Sequence, residues 1–462
     1  MTVADLTVHT TPIPGLLVLD LPLHGDARGW FKENWQREKM VALGLPDFGP
    51  VQNNMSYNAE PGVTRGLHAE PWDKLVSLAH GRILGAWVDL RPGDTFGTTF
   101  TLEMGPDQAV FVPRGVANGY QALEADTTYS YLVNEHWSAQ AKASYTFVNL
   151  ADETVAIDWP IPLSEAIVSE ADRNHPRLAD VTPMGSRTTV IVGANGQLGL
   201  ALRQVFPDAV PLGHADLDVT DAAAVRAHPW QGVGTIINAA AWTGVDAAET
   251  AEGRRGAWAT NVGAVANLVE VARQNRIPLV HVSSDYVFDG TVEEHTEDEP
   301  FSPLGVYGTT KAAGDALVAT LPDHYIVRTS WVIGEGKNFV HTMASLAERG
   351  IKPSVVDDQY GRLTFTSTLA DAIAHLLASR PAAGTYNVTN DGAVRSWFDI
   401  ARRVFELTGA NPDDVSPQST AEFSAGKVVS PRPRHSALSL DRIKATGFTP
   451  RDADEALVDY LA

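Results

Sequence analysis

Residues 188–199 read TTVIVGANGQLG, and no other stretch limits the fold so sharply. An apolar strand runs into glycines at 193, 196 and 199 and then into QLGLALRQVF, a helical pattern. Glycines at this spacing allow a tight turn and a close backbone approach to a pyrophosphate at the helix N-terminus. Such a strand normally opens a domain, yet here it begins at Thr188. A chain of 462 residues has room for two cores, so the segment before Thr188 is long enough to be a domain of its own.

The two halves are patterned differently. From Thr188 onward, buried-strand runs (TTVIVGA, GTIINAAA, PLVHVSSDYVF, YIVRTSW) alternate with helical stretches such as NVGAVANLVEVARQN and YGTTKAAGDALVATL. That alternation predicts a parallel sheet covered on both faces. From Gly62 to Leu150 the pattern is short apolar alternation broken by turn residues, as in KLVSLAHGRILGAWVDLRPGDTFGTTFTLEM. It predicts an antiparallel sandwich or barrel. The stretch 176–188 is punctuated by Pro and Gly without periodicity, which places the linker near Gly185 and Ser186 and divides the chain into 1–184 and 185–462.

Composition narrows the function. A formal net charge of −21 argues against nucleic acid and anionic membrane as partners, though backbone N–H groups at a helix start still bind phosphate. No apolar run reaches membrane-spanning length, and the N-terminus shows no signal-peptide pattern. The chain has no cysteine, which fits a cytoplasmic enzyme and removes thiolate metal sites.

Chemistry-bearing residues occur in both halves. VYGTTK puts Tyr307 and Lys311 four apart on a helix face, and HVSSDYVF ends a strand with Ser283, Ser284 and Asp285. A hydroxyl, a tyrosine and a lysine suit carbonyl reduction. The tyrosine gives a proton to the developing alkoxide, the lysine depresses the tyrosine pKa, and the serine polarises the carbonyl. In the first half, GVTRGLHAEPWDKLV groups Arg65, His68 and Lys74, cations with an acid/base for an anionic ligand. A metal-binding barrel needs several histidines at ligand spacing, and GLHAEPW offers only His68, so no metal is expected.

The segment from Thr188 to the end resembles the dTDP-4-dehydrorhamnose reductase family of extended short-chain dehydrogenases, through GANGQLG, NAAAWTGVDAAE, HVSSDYVFDG, YGTTKAAGD, VRTSWVIG, DQYGRLT and RPRHSALS. The resemblance implies a Rossmann fold with Tyr307 as proton donor, supported by Lys311 and Ser284. Gly193, Asn195, Gly196, Gln197, Leu198 and Gly199 would form the cofactor turn. Asp218 and Val219 fall where the adenine is expected, Ala239 and Ala240 would pass beside the cofactor, and Trp331 would lie against the sugar or nucleotide. His435 stands where the family has asparagine. The strand end AVPLGHADLD leaves NADH or NADPH open, while the family's habit implies NADPH.

Residues from Pro14 to Asp180 resemble the dTDP-4-dehydrorhamnose 3,5-epimerase family, a metal-free cupin-type jelly roll, through DARGWFKE, VQNNMS, GVTRGLHAEP, VDLRPGDTFG, VPRGVANGY, TYSYLV and LSEAIVSEAD. By this match His68 is the general base, Asp172 orients it, and Tyr131 returns a proton to the opposite face. Tyr129 lies two along the strand, on the same side, and the two could exchange roles. Arg65, Lys74, Gln52 and Asn54 match nucleotide and diphosphate contacts. Arg28, Phe31 and Glu33 match an arm reaching a neighbouring subunit, which implies a homodimer through this domain. Asn118, Trp137, Lys142 and Ala171 depart from the family's residues at positions of the binding shell. The fused pair would make dTDP-L-rhamnose from a dTDP-sugar. A barrel kept only for binding or dimerisation, and two enzymes acting on another 4-keto-6-deoxy sugar nucleotide, are the alternatives.

Overall fold

The computed structural model describes residues 5–462. They form two compact units, divided between Ser186 and Arg187.

The first unit is built from two antiparallel sheets. One orders β1 (Thr7–Thr10), β2 (Leu17–Asp20), β10 (Gln108–Val112), β7 (Lys74–His80), β12 (Thr127–Val133) and β5 (Gln52–Asn58). The other orders β13 (Thr146–Phe147), β6 (Val63–Ala69), β11 (Val116–Ala122), β8 (Ile83–Asp89) and β9 (Thr99–Met104). A short strand, β14 (Ile167–Val168), adds to β6 in parallel. Side chains alternate between the two faces of a strand. Val76 and Leu78 of β7 therefore meet Trp87, Val116 and Tyr120 of the other sheet in one core. Leu75, the residue before Val76, joins Phe111, Met40 and Phe48 on the outer face. Both faces of β7 are covered, so its first five residues read as a continuous buried run. A hairpin, β3 (His24–Asp26) with β4 (Gly29–Phe31), stands exposed beside the sheets.

The second unit carries a parallel sheet in the order β16 (Val210–Leu212), β15 (Thr188–Val192), β17 (Val233–Asn238), β18 (Leu279–Ser284), β19 (His324–Thr329) and Gly384–Asn387. Alternate residues again go to opposite faces. Val190, Val192, Ile236, Leu279 and Ile326 pack on Val265, Leu268 and Val269 of the helix Ala264–Asn275. Ile191, Ile237, Val280 and Val327 pack on Leu202 and on Leu369, Ile373 and Leu376 of the helix Thr366–Ser379. The strand ends that follow Val192, Asn238 and Ser284 therefore lie at the same sheet edge, where open α/β sheets place their ligands.

Candidate active sites

In the β unit the central pair is His68, on β6, and Asp172, on the helix Glu170–Arg173. That four-residue helix is held by Ser169, whose hydroxyl accepts from the Asp172 N–H at 3.1 Å. His68 Nε2 lies 2.8 Å from Asp172 Oδ1. Asp172 is buried and its carboxyl is held well below the usual range. Desolvation by burial opposes that shift, and it is outweighed by hydrogen bonds from His175 and His68. An ionised carboxylate only accepts, so His68 carries its proton on Nε2 and leaves Nδ1 as a lone pair. The sequence pattern did not single out His175. Its Nε2 reaches the same Asp172 Oδ1 at 3.1 Å. The three side chains present ligand atoms within 4.8 Å of one another. Both rings aim at one carboxylate oxygen at hydrogen-bond distance, which is the geometry of a base and its orienters.

His68 opens into a cavity of about 190 Å³ lined by Ser56, Arg65, Glu70, Lys74, Asn118, Tyr120, Tyr129 and Tyr131. Gly66 and Gly119 make the strand crossing beside it possible. A Cβ on Gly66, whose φ is +120°, would stand 2.6 Å from Gly119 Cα. The register of β11 against β6 shifts there and sets Asn118 opposite His68. Asn118 is structurally engaged. Its amide oxygen accepts from the Lys74 ammonium, and its amide nitrogen donates to the Tyr129 hydroxyl at 3.1 Å. Lys74 is buried and also pairs with Glu70 at 3.0 Å. Arg65 donates to Asn58 Oδ1 at 3.3 Å.

The two tyrosines differ. Tyr129 is fully buried and stacks on Tyr120 at 4.3 Å between centroids. Tyr131 is half-buried on the cavity wall, where burial pushes its hydroxyl up to about 12, with Glu70 adding to the rise and Arg65 opposing it. Gln52 donates to Asn54 Oδ1 at 2.8 Å, and Asn54 stands opposite Tyr131 across β5 and β12. Arg28 is exposed and tied to Asp26, Phe31 is 65% exposed, and Glu33 pairs with Lys39 at 2.6 Å. None of these three lines the cavity of His68. Trp137, Lys142 and Ala171 are exposed, and the Trp137 N–H donates to Gln52 Oε1 at 3.3 Å.

In the α/β unit, the glycine turn closes on the neighbouring strand end. A Cβ on Gly193 would lie 2.6 Å from Ala240 N, and one on Gly199 would lie 2.3 Å from the Gly193 carbonyl oxygen. Gly196 caps the helix Gln197–Val205, whose first residues include Leu198. Asn195 packs over Gly213, and Gln197 donates to the Lys337 carbonyl at 3.1 Å. The Ala239 N–H bonds back to the Val192 carbonyl at 2.9 Å. The glycines thus form a backbone cradle at a helix start that side chains would fill, which fits a dinucleotide pyrophosphate. Asp218 faces solvent and accepts from the Thr220 N–H and hydroxyl, while Val219 is buried.

At the end of β18, Ser284 Oγ donates to Asp285 Oδ1 at 3.0 Å and accepts from the Tyr286 N–H at 3.2 Å. Burial pushes the Tyr307 hydroxyl up to about 12, against a lowering hydrogen bond from Ser284. Lys311 is buried on the same helix as Tyr307. Its ammonium donates to the Val282 carbonyl at 2.6 Å, and burial pulls it down to about 8. Trp331 stacks on Trp397 at 3.8 Å, a partner far off in sequence. His435 stacks on Tyr360 at 5.4 Å. Arg432 also escaped the sequence reading. It pairs with Asp246 at 2.9 Å and acts on Tyr286, whose ring meets Tyr307 edge-on.

A histidine–carboxylate pair in an antiparallel β unit, joined to a glycine cradle with Ser, Tyr and Lys in a parallel α/β unit, defines a two-domain enzyme with proton-transfer and dinucleotide-dependent chemistry. Residues 10–180 match the family described as dTDP-4-dehydrorhamnose 3,5-epimerase, and residues 187–462 match the family described as RmlD substrate binding domain. The chain belongs to both families, one in each half, and joins the epimerase and reductase domains of dTDP-L-rhamnose synthesis. It is 53% identical over 177 residues to a protein RmlC homolog of Streptococcus pyogenes, covering 37% of this chain and 89% of that one. It is 38% identical over 303 residues to dTDP-4-dehydrorhamnose reductase of Mycolicibacterium smegmatis, covering 63% of this chain and 89% of that one. The crystal structure of the Bacillus anthracis dTDP-4-dehydrorhamnose reductase in complex with NADP superposes with a TM-score of 0.55 at 33% identity, covering 60% of this chain and 98% of that one.

Proposed function

We propose that this chain performs two consecutive steps. It epimerises dTDP-4-dehydro-6-deoxy-D-glucose at C3 and C5, then reduces the C4 ketone with NADPH to give dTDP-L-rhamnose. In this reading the β unit is a cupin-type jelly roll and the α/β unit a Rossmann fold of the extended short-chain dehydrogenase type, with the division at 184/185. The observation that carries the reading is the coexistence of two complete proton-handling sets, His68 with Asp172 and Tyr307 with Ser284, in two separate units.

The C4 ketone acidifies the C–H bonds at C3 and C5. His68 Nδ1 takes the proton while its Nε2–H stays on Asp172, which stabilises the imidazolium that forms. Tyr131, on the wall of the same cavity, returns a proton to the opposite face. Tyr129 is committed to Asn118 and Tyr120, which favours Tyr131 for this role. Arg65 and Lys74 meet the negative diphosphate and the developing enolate. The changed residue Asn118 is bonded within the site, which favours a working epimerase over a barrel kept for dimerisation.

In the second unit the cradle of Gly193, Gly196 and Gly199 holds the pyrophosphate of NADPH, and Ala239 and Ala240 flank it. Bound there, NADPH supplies the hydride. Ser284 holds the ketone oxygen, and Tyr307 gives its proton to the oxygen as charge develops. Trp331 and Trp397 offer a flat apolar wall for the sugar or base.

We also read the enzyme as a cytoplasmic homodimer. Among the described residues no helix is long and apolar enough to cross a membrane. The edge strand β5 exposes Met55 and Tyr57, and the β3–β4 hairpin exposes Trp30 and Phe31, apolar surface suited to a second copy.

Mixing two inactive variants tests the two-site reading. Tyr307→Phe should still wash solvent deuterium into C3 and C5, and His68→Ala should still reduce pre-epimerised ketone. Together they should convert the unepimerised sugar. Loss of exchange in Tyr307→Phe would overturn the assignment of separate sites.

A further inference from the structure

His175 lies three residues beyond Asp172, outside the short helix, and its position has no structural need for an imidazole nitrogen on the carboxylate. Its ring is already supported, stacking on Phe147 at 4.4 Å and 13°. Phe147 also meets His68 edge-on at 5.4 Å, and the two histidine rings stand nearly perpendicular, at 87° and 5.4 Å. One aromatic ring therefore backs both imidazoles, and both place Nε2 on Asp172 Oδ1, at 2.8 and 3.1 Å. Oδ2 is left with the Gly66 N–H at 3.5 Å.

We propose that His175 is a positioning residue that sets the basicity of His68 by sharing its carboxylate oxygen. The proposal rests on the reading of His68 as the epimerase base. An oxygen that accepts two N–H donors gives less charge to each. With His175 in place, Asp172 is fixed in orientation but holds the protonated form of His68 less tightly than a private carboxylate would. A base of lower pKa stays unprotonated at lower pH. The acid limb of the reaction then extends downward.

Other groups face this pair and stay constant in the comparison. Glu70, the residue after the end of β6, lines the same cavity. Arg65, Lys74 and Tyr131 line the cavity into which His68 opens. Tyr145 packs against Phe147 from the far side, and Arg173 turns its guanidinium to the Ala166 carbonyl at 3.2 Å.

The test is the pH profile of solvent deuterium exchange at C3 and C5 in the full-length protein, with dTDP-4-dehydro-6-deoxy-D-glucose as probe. His175→Phe keeps the stack on Phe147 and removes the donor. Its acid-limb inflection should move up by about one pH unit. His175→Gln, whose amide reaches Oδ1, should return the inflection close to the wild-type position. Should the phenylalanine variant not fold, His175→Asn, with an amide too short to reach Oδ1, makes the same measurement and should give the same rise. A purely structural histidine would alter rate or melting temperature without moving the inflection. An unmoved inflection, in a protein that loses exchange on His68→Ala, overturns the role of His175 alone. Wild-type exchange in His68→Ala overturns the base assignment and this proposal with it.

Discussion

His68 Nε2 sits 2.8 Å from Asp172 Oδ1, although 104 residues separate the two in sequence. The pair brings together a strand of one sheet and a one-turn helix near the end of the same unit. His68→Ala should abolish deuterium exchange at C3 and C5, because it removes the proposed base that Asp172 orients. Asp172→Asn should keep a slower exchange, since the base survives with a weaker orienter. Exchange measured by NMR on both variants checks the order of the effects.

Arg65 carries charge into the same cavity, and its side-chain bond to Asn58 Oδ1 is neutral and long. A charge-assisted contact to the diphosphate is worth about 1.5–3 kcal/mol, so Arg65→Ala should raise the epimerase KM roughly 10- to 100-fold. Reduction of pre-epimerised sugar should keep its KM. An unchanged epimerase KM would reduce Arg65 to a scaffold residue.

Gly199 has no room for a methyl group. A Cβ there would stand 2.3 Å from the Gly193 carbonyl oxygen and 2.6 Å from the Ala194 carbonyl carbon, both backbone atoms. Gly199→Ala should push the helix Gln197–Val205 off the turn at a cost of about 1–3 kcal/mol. The Kd for NADPH should rise with it, by calorimetric titration, while deuterium exchange continues.

Asp285 gives a pH-dependent stability. Burial pushes its carboxyl up to about 6, against bonds from Ser436 and Ser284. In the unfolded chain the group titrates at about 3.9. The native state therefore holds the proton more strongly, and the stabilisation this brings is complete below the unfolded value and lost as pH rises through about 6. Asp285→Asn cannot ionise and should flatten that loss. Its reductase melting transition should exceed that of the wild type at pH 8, by roughly 2–3 kcal/mol of stability, and match it near pH 4. Equal melting at both values would show that burial of the charge is relieved by other means.

Much of this was legible in the chain. Period-two alternation marked the strands of the first unit, and strand–helix alternation marked the second. The glycine turn announced itself because φ of +78° at Gly193 and the closeness of Gly199 leave no alternative residue. What stayed hidden depends on long-range approach. His175 could have been found from its i+3 spacing to Asp172, but nothing local says that His68 reaches the same carboxylate oxygen. Asn118 read only as a departure in the binding shell, and the register shift between β11 and β6 that sets it between Lys74 and Tyr129 has no local signal. Trp331, at a bend, meets Trp397, the first residue of the helix Trp397–Leu407, and no sequence period connects the two. The bond from the Lys311 ammonium to the Val282 carbonyl, on the strand beneath, likewise has no local signal.

The central claim is that one chain epimerises and then reduces the same sugar. It is tested most directly by supplying the full-length protein with dTDP-4-dehydro-6-deoxy-D-glucose and NADPH in deuterium oxide and determining the product by NMR. The account predicts dTDP-L-rhamnose carrying deuterium at both C3 and C5. A reduced 6-deoxy sugar that keeps the D-configuration, with protium at those carbons, would contradict it and leave the reductase as the only working site.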